Sequence, residues 1–232
     1  MRGVVKKRRE QMSIVVRQAT MDDLPGLLKV DAVVWPDFPA KEEMIRSRLE
    51  VFPKGQFVAL CGDRVVGSIY SQLVYYEFLP KSFTWMEITD GGTIRRTHSS
   101  DGDSVYGVGL AVLPEFQGTD VSHLLIMAVA KMAMRLGVYR FLWGARIPHY
   151  YKYKEIPVGQ YIKKKTSKGR YIDPELSLYQ QYAANPDRPL SNYMPDPESL
   201  NFGVLVVADL CVLANQEFIE KIDRKQIRAT VA

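Results

Sequence analysis

Residues 108–125 read VGLAVLPEFQGTDVSHLL. The first part closes an apolar run, SVYGVGLAV at 104–112, which reads as a buried strand. The last part opens a helix at 121–136 whose apolar residues, among them Leu124, Leu125, Met127, Val129 and Met132, lie nearly all round it. Between them is a polar turn, Gln117-Gly118-Thr119-Asp120. A strand feeding a helix through such a turn aims several backbone amides, without intrahelical acceptors, at one spot, and the positive end of the helix dipole adds to them. The arrangement suits an anion, preferably a phosphate or pyrophosphate. A purely structural strand-turn-helix unit shares the same outline. Gly107 and Gly109 inside the strand point to a bulge, or to close approach of a ligand or another backbone.

Working outward, SIVVRQAT at 13–20 alternates like a strand, and Thr20-Met21-Asp22-Asp23 caps a helix carrying Leu24, Leu27, Leu28 and Val30. A second helix over 41–51 gathers Met44, Ile45 and Leu49 on one side. Strands follow at 56–60 and 64–74, joined through Cys61-Gly62-Asp63. Residues 75–103 hold no sustained period and read as an irregular insertion with at most one short strand, and loops of that length often carry function. Beyond the central unit, 140–147 and 201–210 read as strands, and Asp173-Pro174-Glu175 opens a helix through Leu176, Leu178, Tyr179 and Tyr182. The expected organisation is a basic disordered start at 1–12, one α/β domain at 13–214 with helices covering a sheet, and an amphipathic helix at 215–232.

Composition narrows the function classes. With 47% apolar and 25% charged residues in 232, the chain is long enough for one sizeable core. No window approaches 18 consecutive apolar residues, and the start lacks a secretory apolar stretch, so a cytoplasmic protein without a membrane partner is expected. Cys61 and Cys211 give neither a disulfide framework nor metal-ligand spacing, and no metal is expected. The net charge of +5 is concentrated in Lys6-Lys7-Arg8-Arg9 and in Lys163-Lys164-Lys165 with Lys168 and Arg170. These are either solvated surface or, for the second cluster, contacts to phosphates. Nucleic acid is not expected, because no stacking aromatics are interleaved in a recognisable module.

The segment from Val112 to Ser122 resembles the acyl-CoA motif of the GNAT acyltransferases: Gln or Arg, any two residues, Gly, any one, then Gly or Ala. Gln117 fills the first position, Asp120 the first glycine position and Ser122 the last. EITDGGTIRRTH at 87–98, GARIPHY at 144–150 and YMPDPESLNFGVL at 193–205 are similar to one subgroup of these domains, found alone or fused to other enzymes. The resemblance implies a GNAT fold: a mixed, mostly antiparallel central sheet with two splayed parallel strands, covered by helices on both faces. It implies acetyl-CoA, or another acyl-CoA, as cosubstrate. Backbone groups of Leu110, Ala111 and Val112 would pair with the pantetheine arm, and amides of Gln117, Gly118, Thr119, Asp120, Val121 and Ser122 would hold the pyrophosphate.

The family commonly protonates the departing thiolate with a Tyr in a pattern like Leu-Tyr-x-x-x-Gly-Phe. Leu178-Tyr179 matches its start, which makes Tyr179 the candidate catalytic acid, with core packing as the alternative. Ala183 and Ala184 stand where Gly-Phe would follow, and Tyr151 where the subgroup often has His. The strand at 104–112 offers no carboxylate as a base, so deprotonation needs a residue from elsewhere, with Glu87, Asp90, His98, His123 and His149 as candidates, a water chain, or an amine that arrives neutral. Trp35, with Glu87 and His98 of the insertion, is expected at the substrate pocket. The leading function is acetyl transfer to an amine. The alternatives are a GNAT-like malonyl-CoA decarboxylase or loader of a carrier-protein thiol, with Trp35, Thr89 or a histidine donating to the malonyl carboxylate, and a CoA-binding protein without turnover. The expected partners are the acyl-CoA and an unidentified amine or thiol acceptor, with a homodimer left open.

Overall fold

The computed structural model describes residues 13–213, so the expectations for 1–12 and 215–232 lie outside the described residues. The elements run β1 (Ile14–Gln18), α1 (Leu24–Val34), α2 (Glu42–Val51), β2 (Gln56–Cys61), β3 (Arg64–Val74), α3 (Trp85–Ile88), β4 (Ser104–Val112), α4 (Val121–Arg135), β5 (Arg140–Arg146), α5 (Val158–Tyr161), α6 (Pro174–Tyr179), β6 (Ala184–Leu190), β7 (Gly203–Asp209) and α7 (Leu210–Leu213). The strands form one seven-stranded sheet in the order β1-β2-β3-β4-β5-β7-β6. Every neighbouring pair is antiparallel except β4 and β5. Those two are parallel because α4 carries the chain back to the starting end between them, as a parallel pair requires.

Helices cover both faces. Ala59 pairs with Gly67 but Leu60 pairs with Val65, so Val66 is an extra residue and Val65 and Gly67 turn to opposite sides. On one side, a Cβ at Gly26 of α1 would meet Val65 at 2.4 Å. On the other, a Cβ at Gly67 would meet Val121 at 3.1 Å and Leu125 at 3.2 Å, both in α4. Small residues therefore let both helices sit close to β3. α4 is central to the core: Val121, Leu125, Val129, Ala130 and Ala133 are all fully enclosed.

The insertion holds no strand. Left-handed backbone at Asp90, Gly91, Gly92 and Ile94 winds it into turns after α3. β6 was not anticipated, because Pro186 and Pro189 lack amides; it pairs with β7 alone, and an edge strand tolerates missing donors. α6 is shorter than the periodicity suggests, passing into a 3₁₀ turn over Gln180–Tyr182 that ends on left-handed Ala183. No helix among the described residues is long and apolar enough to cross a membrane.

Candidate functional site

β4 and β5 pair only from Ser104 with Arg140 to Gly107 with Trp143. Past that point β4 stays bonded to β3 as far as Val112, and β5 to β7 as far as Arg146. The two parallel strands therefore splay, and the edge of β4 facing β5 lies open from Val108 onward. A bulge begins there: Tyr70 pairs with Gly109 and Ser71 with Gly107, leaving Val108 over. The Val108 carbonyl accepts a hydrogen bond from Trp85 Nε1 at 2.8 Å. The gap opens into a cavity of about 610 Å³ that reaches from Gln117 and Ser122 at one end to Trp35, Phe38 and Trp85 at the other.

At the first end lies the turn between β4 and α4. Gln117 Nε2 donates to the Val112 carbonyl at 3.1 Å, and Thr119 Oγ1 donates to the Phe116 carbonyl at 2.5 Å. The Leu124 amide bonds to the Asp120 carbonyl at 2.9 Å, so the α4 amides before it have no acceptor within the helix, and that of Val121 donates to Thr119 Oγ1 at 3.4 Å; in the turn, the Gln117 and Thr119 amides bond to the Pro114 and Phe116 carbonyls at 3.2 and 3.4 Å. Gly118 takes φ +73°, the conformation that favours glycine, whereas Asp120 takes φ −77°, open to any residue. An aspartate at the family's glycine position thus imposes no backbone strain. Leu110, Val112, Gln117 and Ser122 line the cavity. Ala111 and Val121 turn into the core, while Gly118, Thr119 and Asp120 lie exposed in the turn.

The opposite wall comes from α6. Buried Asp173 caps it, accepting from the Glu175 amide at 3.0 Å and the Leu176 amide at 3.4 Å, and also from the Tyr161 hydroxyl at 2.9 Å. Glu175 and Tyr179, four apart and so on one face, both line the cavity. The Tyr179 ring meets Trp143 edge-on at 5.0 Å. Burial, helped by the nearby Glu175, pushes the Tyr179 phenol well above its ordinary range, so it stays protonated. Burial also raises Glu175 to about 7, against the opposing pull of Arg146. That pull is limited: Arg146 grips Asp196 with two bonds of 2.8 and 3.0 Å, while Glu175 stands 3.9 Å away. Trp143 Nε1 is buried without an acceptor among the described residues.

At the far end Trp35, Phe38 and Trp85 form an aromatic wall, Phe38 meeting Trp85 edge-on at 5.8 Å. The three subgroup-like segments converge behind it. Tyr193 fills the space over Gly144 and Gly203, where a Cβ would come within 2.1 and 2.6 Å of its ring, and its hydroxyl shares a 2.7 Å bond with Tyr106. The structure brings Trp35 and Tyr179 to one cavity but not Glu87 and His98, which do not line it. Glu87 turns back to cap α3, accepting from the Thr84 amide at 2.8 Å. His98 Nδ1 accepts the Leu73 amide at 3.1 Å and the ring stacks on Phe52, where burial lowers its pKa. Asp90 pairs with Arg96, the Thr89 hydroxyl donates to the Trp85 carbonyl, and His123 meets the Tyr182 hydroxyl at 3.2 Å. Asp90, Thr89, His123 and His149 do not line the cavity. Sequence reasoning missed Glu175, Trp143 and Arg48 as lining groups. A signal existed for two of them: Glu175 lies one turn before Tyr179, and Arg48 falls three after Ile45 on the apolar side of α2.

Splayed parallel strands, an amide-rich turn at the mouth of the gap and a tyrosine across it define a class of protein. The chain belongs to the GNAT superfamily of acyltransferases. It is 32% identical over 200 residues to an uncharacterized N-acetyltransferase, YkwB, of Bacillus subtilis, covering 84% of this chain and 88% of that protein. It is also 32% identical over 189 residues to the probable hydrolase YhcX of the same organism, of whose length it spans 37%. Among solved structures it resembles the loading GNAT-like domain of CurA from Lyngbya majuscula, with a TM-score of 0.76 and 26% identity over 86% of this chain and 98% of that one. The GphF GNAT-like decarboxylase, solved in complex with isobutyryl-CoA, shares the fold with a TM-score of 0.70 and 24% identity over 84% and 98% of the two chains. No protein-family model matches the chain.

Proposed function

We propose that this chain transfers an acyl group, acetyl in the simplest case, from an acyl-CoA to an amine. The observation that carries the reading is the gap between β4 and β5, which runs from the anion-binding turn into a cavity bounded by Tyr179 and Glu175. The turn from Gln117 to Ser122, at the open amide end of α4, holds the pyrophosphate, and the open β4 edge at Leu110, Ala111 and Val112 pairs with the pantetheine arm. This sets the thioester near the point where the strands part. The amine nitrogen attacks the thioester carbon, and Glu175, as carboxylate, takes the proton that the nitrogen sheds. The C–S bond then breaks, and Tyr179 passes its proton to the sulfur, giving amide and free CoA thiol. Solvent returns the proton from Glu175 to Tyr179. Holding both reactants in one enclosed cavity supplies much of the acceleration.

The likeness to a loading GNAT-like domain favours a second reading, in which a malonyl-type thioester is decarboxylated or its acyl group passes to a carrier thiol. One experiment separates the two. Acetyl-CoA and malonyl-CoA are each incubated with the protein, with and without a panel of amines, while free thiol and products are followed by mass. Thiol that appears only with an amine, together with acylated amine, is the expected result. Acetyl-CoA formed from malonyl-CoA would establish the second reading, and binding without either product would reject turnover.

A further inference from the structure

Arg48 of α2 is 2% exposed, yet it borders the cavity. Its Nε donates to the Gly92 carbonyl at 2.7 Å, and the guanidinium lies over the Tyr70 ring at 4.7 Å. Neither contact uses the outer nitrogens, and among the described residues Nη1 and Nη2 donate no hydrogen bond and form no ion pair. The Asp31 carboxylate acts on it as an opposite charge but forms no ion pair with it among the described residues, and its Oδ1 accepts the Ala40 amide at 2.6 Å. A guanidinium does not shed its proton to escape burial in the way that a lysine does, so a buried, unpaired one is costly unless an anion completes it. The surroundings fit this. Trp35, Phe38, Met44 and Trp85 wall the cavity around it with apolar surface. Gly92, at φ +86°, makes the room: a Cβ there would press on Arg48 Nη2, Met44 and Trp85, each at 3.0 Å. The insertion and α2 together seat this guanidinium with its fork unfilled.

We infer that Arg48 receives a carboxylate of the substrate in this cavity, through the paired geometry a guanidinium fork offers. The inference rests on reading the cavity as the acyl-transfer site. It assigns the substrate class: either the acyl group is a dicarboxylic half-thioester, or the acceptor carries a carboxylate.

The test compares acid and neutral partners within each protein. In one arm, titration calorimetry compares malonyl-CoA and succinyl-CoA with acetyl-CoA and butyryl-CoA. In the other, kcat/KM with acetyl-CoA is compared for amino acids and for their amides. In the wild type one arm shows the carboxylate form favoured roughly tenfold or more, as for a charge-assisted pair, and that arm identifies the source. In Arg48→Gln the ratio in that arm falls to about one, and Arg48→Lys retains part of it. A wild type indifferent to the carboxylate in both arms overturns the inference, with no variant needed, and so does a preference that survives in a folded Arg48→Gln. If acetyl-CoA binds and turns over without any carboxylate preference, the acyltransferase reading stands and this inference alone fails; if no acyl-CoA binds, both fall.

Discussion

In the proposed transfer, two residues four apart on α6 make opposite demands on protons, and burial serves both. The raised phenol of Tyr179 remains a donor across the working range, so Tyr179→Phe is expected to lower kcat by roughly 10²–10⁴-fold with little change in acetyl-CoA affinity; unchanged turnover would remove it from the chemistry. Glu175 acts as a base only when ionised. With its pKa about 7, kcat/KM is expected to rise tenfold per pH unit below that value and to level off above it, and Glu175→Gln should abolish this limb. A pH profile identical in the variant would assign the proton to another group. Asp120 presents a simpler case. Its ordinary φ of −77° leaves no backbone strain to relieve, so Asp120→Gly should tighten CoA binding by about 1 kcal/mol through loss of a negative charge near the pyrophosphate, and equal dissociation constants by calorimetry would contradict this. Ala183 is the reverse, at φ +54° where the family pattern has glycine. Ala183→Gly should stabilise the fold by about 0.5–1 kcal/mol in denaturant unfolding, since relief of left-handed strain outweighs the added unfolded-state freedom.

Individual elements differ in how openly the sequence announces them. β4, its turn and α4 are legible because apolar run, polar turn and apolar helix succeed one another within one continuous stretch. α6 is equally legible at its start, where Asp173 and Pro174 supply cap and first turn. β6 is not, since its prolines argue against a strand until its place at the sheet edge is known. The insertion hides its structure for another reason: its turns depend on left-handed Asp90 and Ile94, held by long-range contacts such as Ser47 Oγ to the Thr93 carbonyl at 2.7 Å. Asp173 is the element-scale test. It accepts four bonds, including the His149 amide at 3.2 Å, and lies wholly enclosed. Asp173→Ala should cost about 1–3 kcal/mol in stability and depress turnover further by loosening α6, whereas an unshifted melting temperature would show that the cap is dispensable.

Over the whole molecule, the sheet order sets what local sequence cannot. The cavity draws on α1, α2, β4, β5 and α6, so Asp31, Arg48, Trp143 and Glu175 become neighbours of one space only after the strands take their places. Within the sequence Arg48 is one charge on an amphipathic helix, and Trp143 one apolar residue in a strand. The insertion was expected to bring Glu87 and His98 to the substrate; it contributes Trp85 to the wall and the Gly92 carbonyl to Arg48 instead. Acyl-CoA is proposed to lie in the gap between β4 and β5. Hydrogen exchange with and without acetyl-CoA tests it directly. Slowed exchange concentrated at amides of residues 108–112 and 117–122 is the predicted result, and acetyl-CoA binding that leaves those amides unchanged while protecting another surface would contradict it.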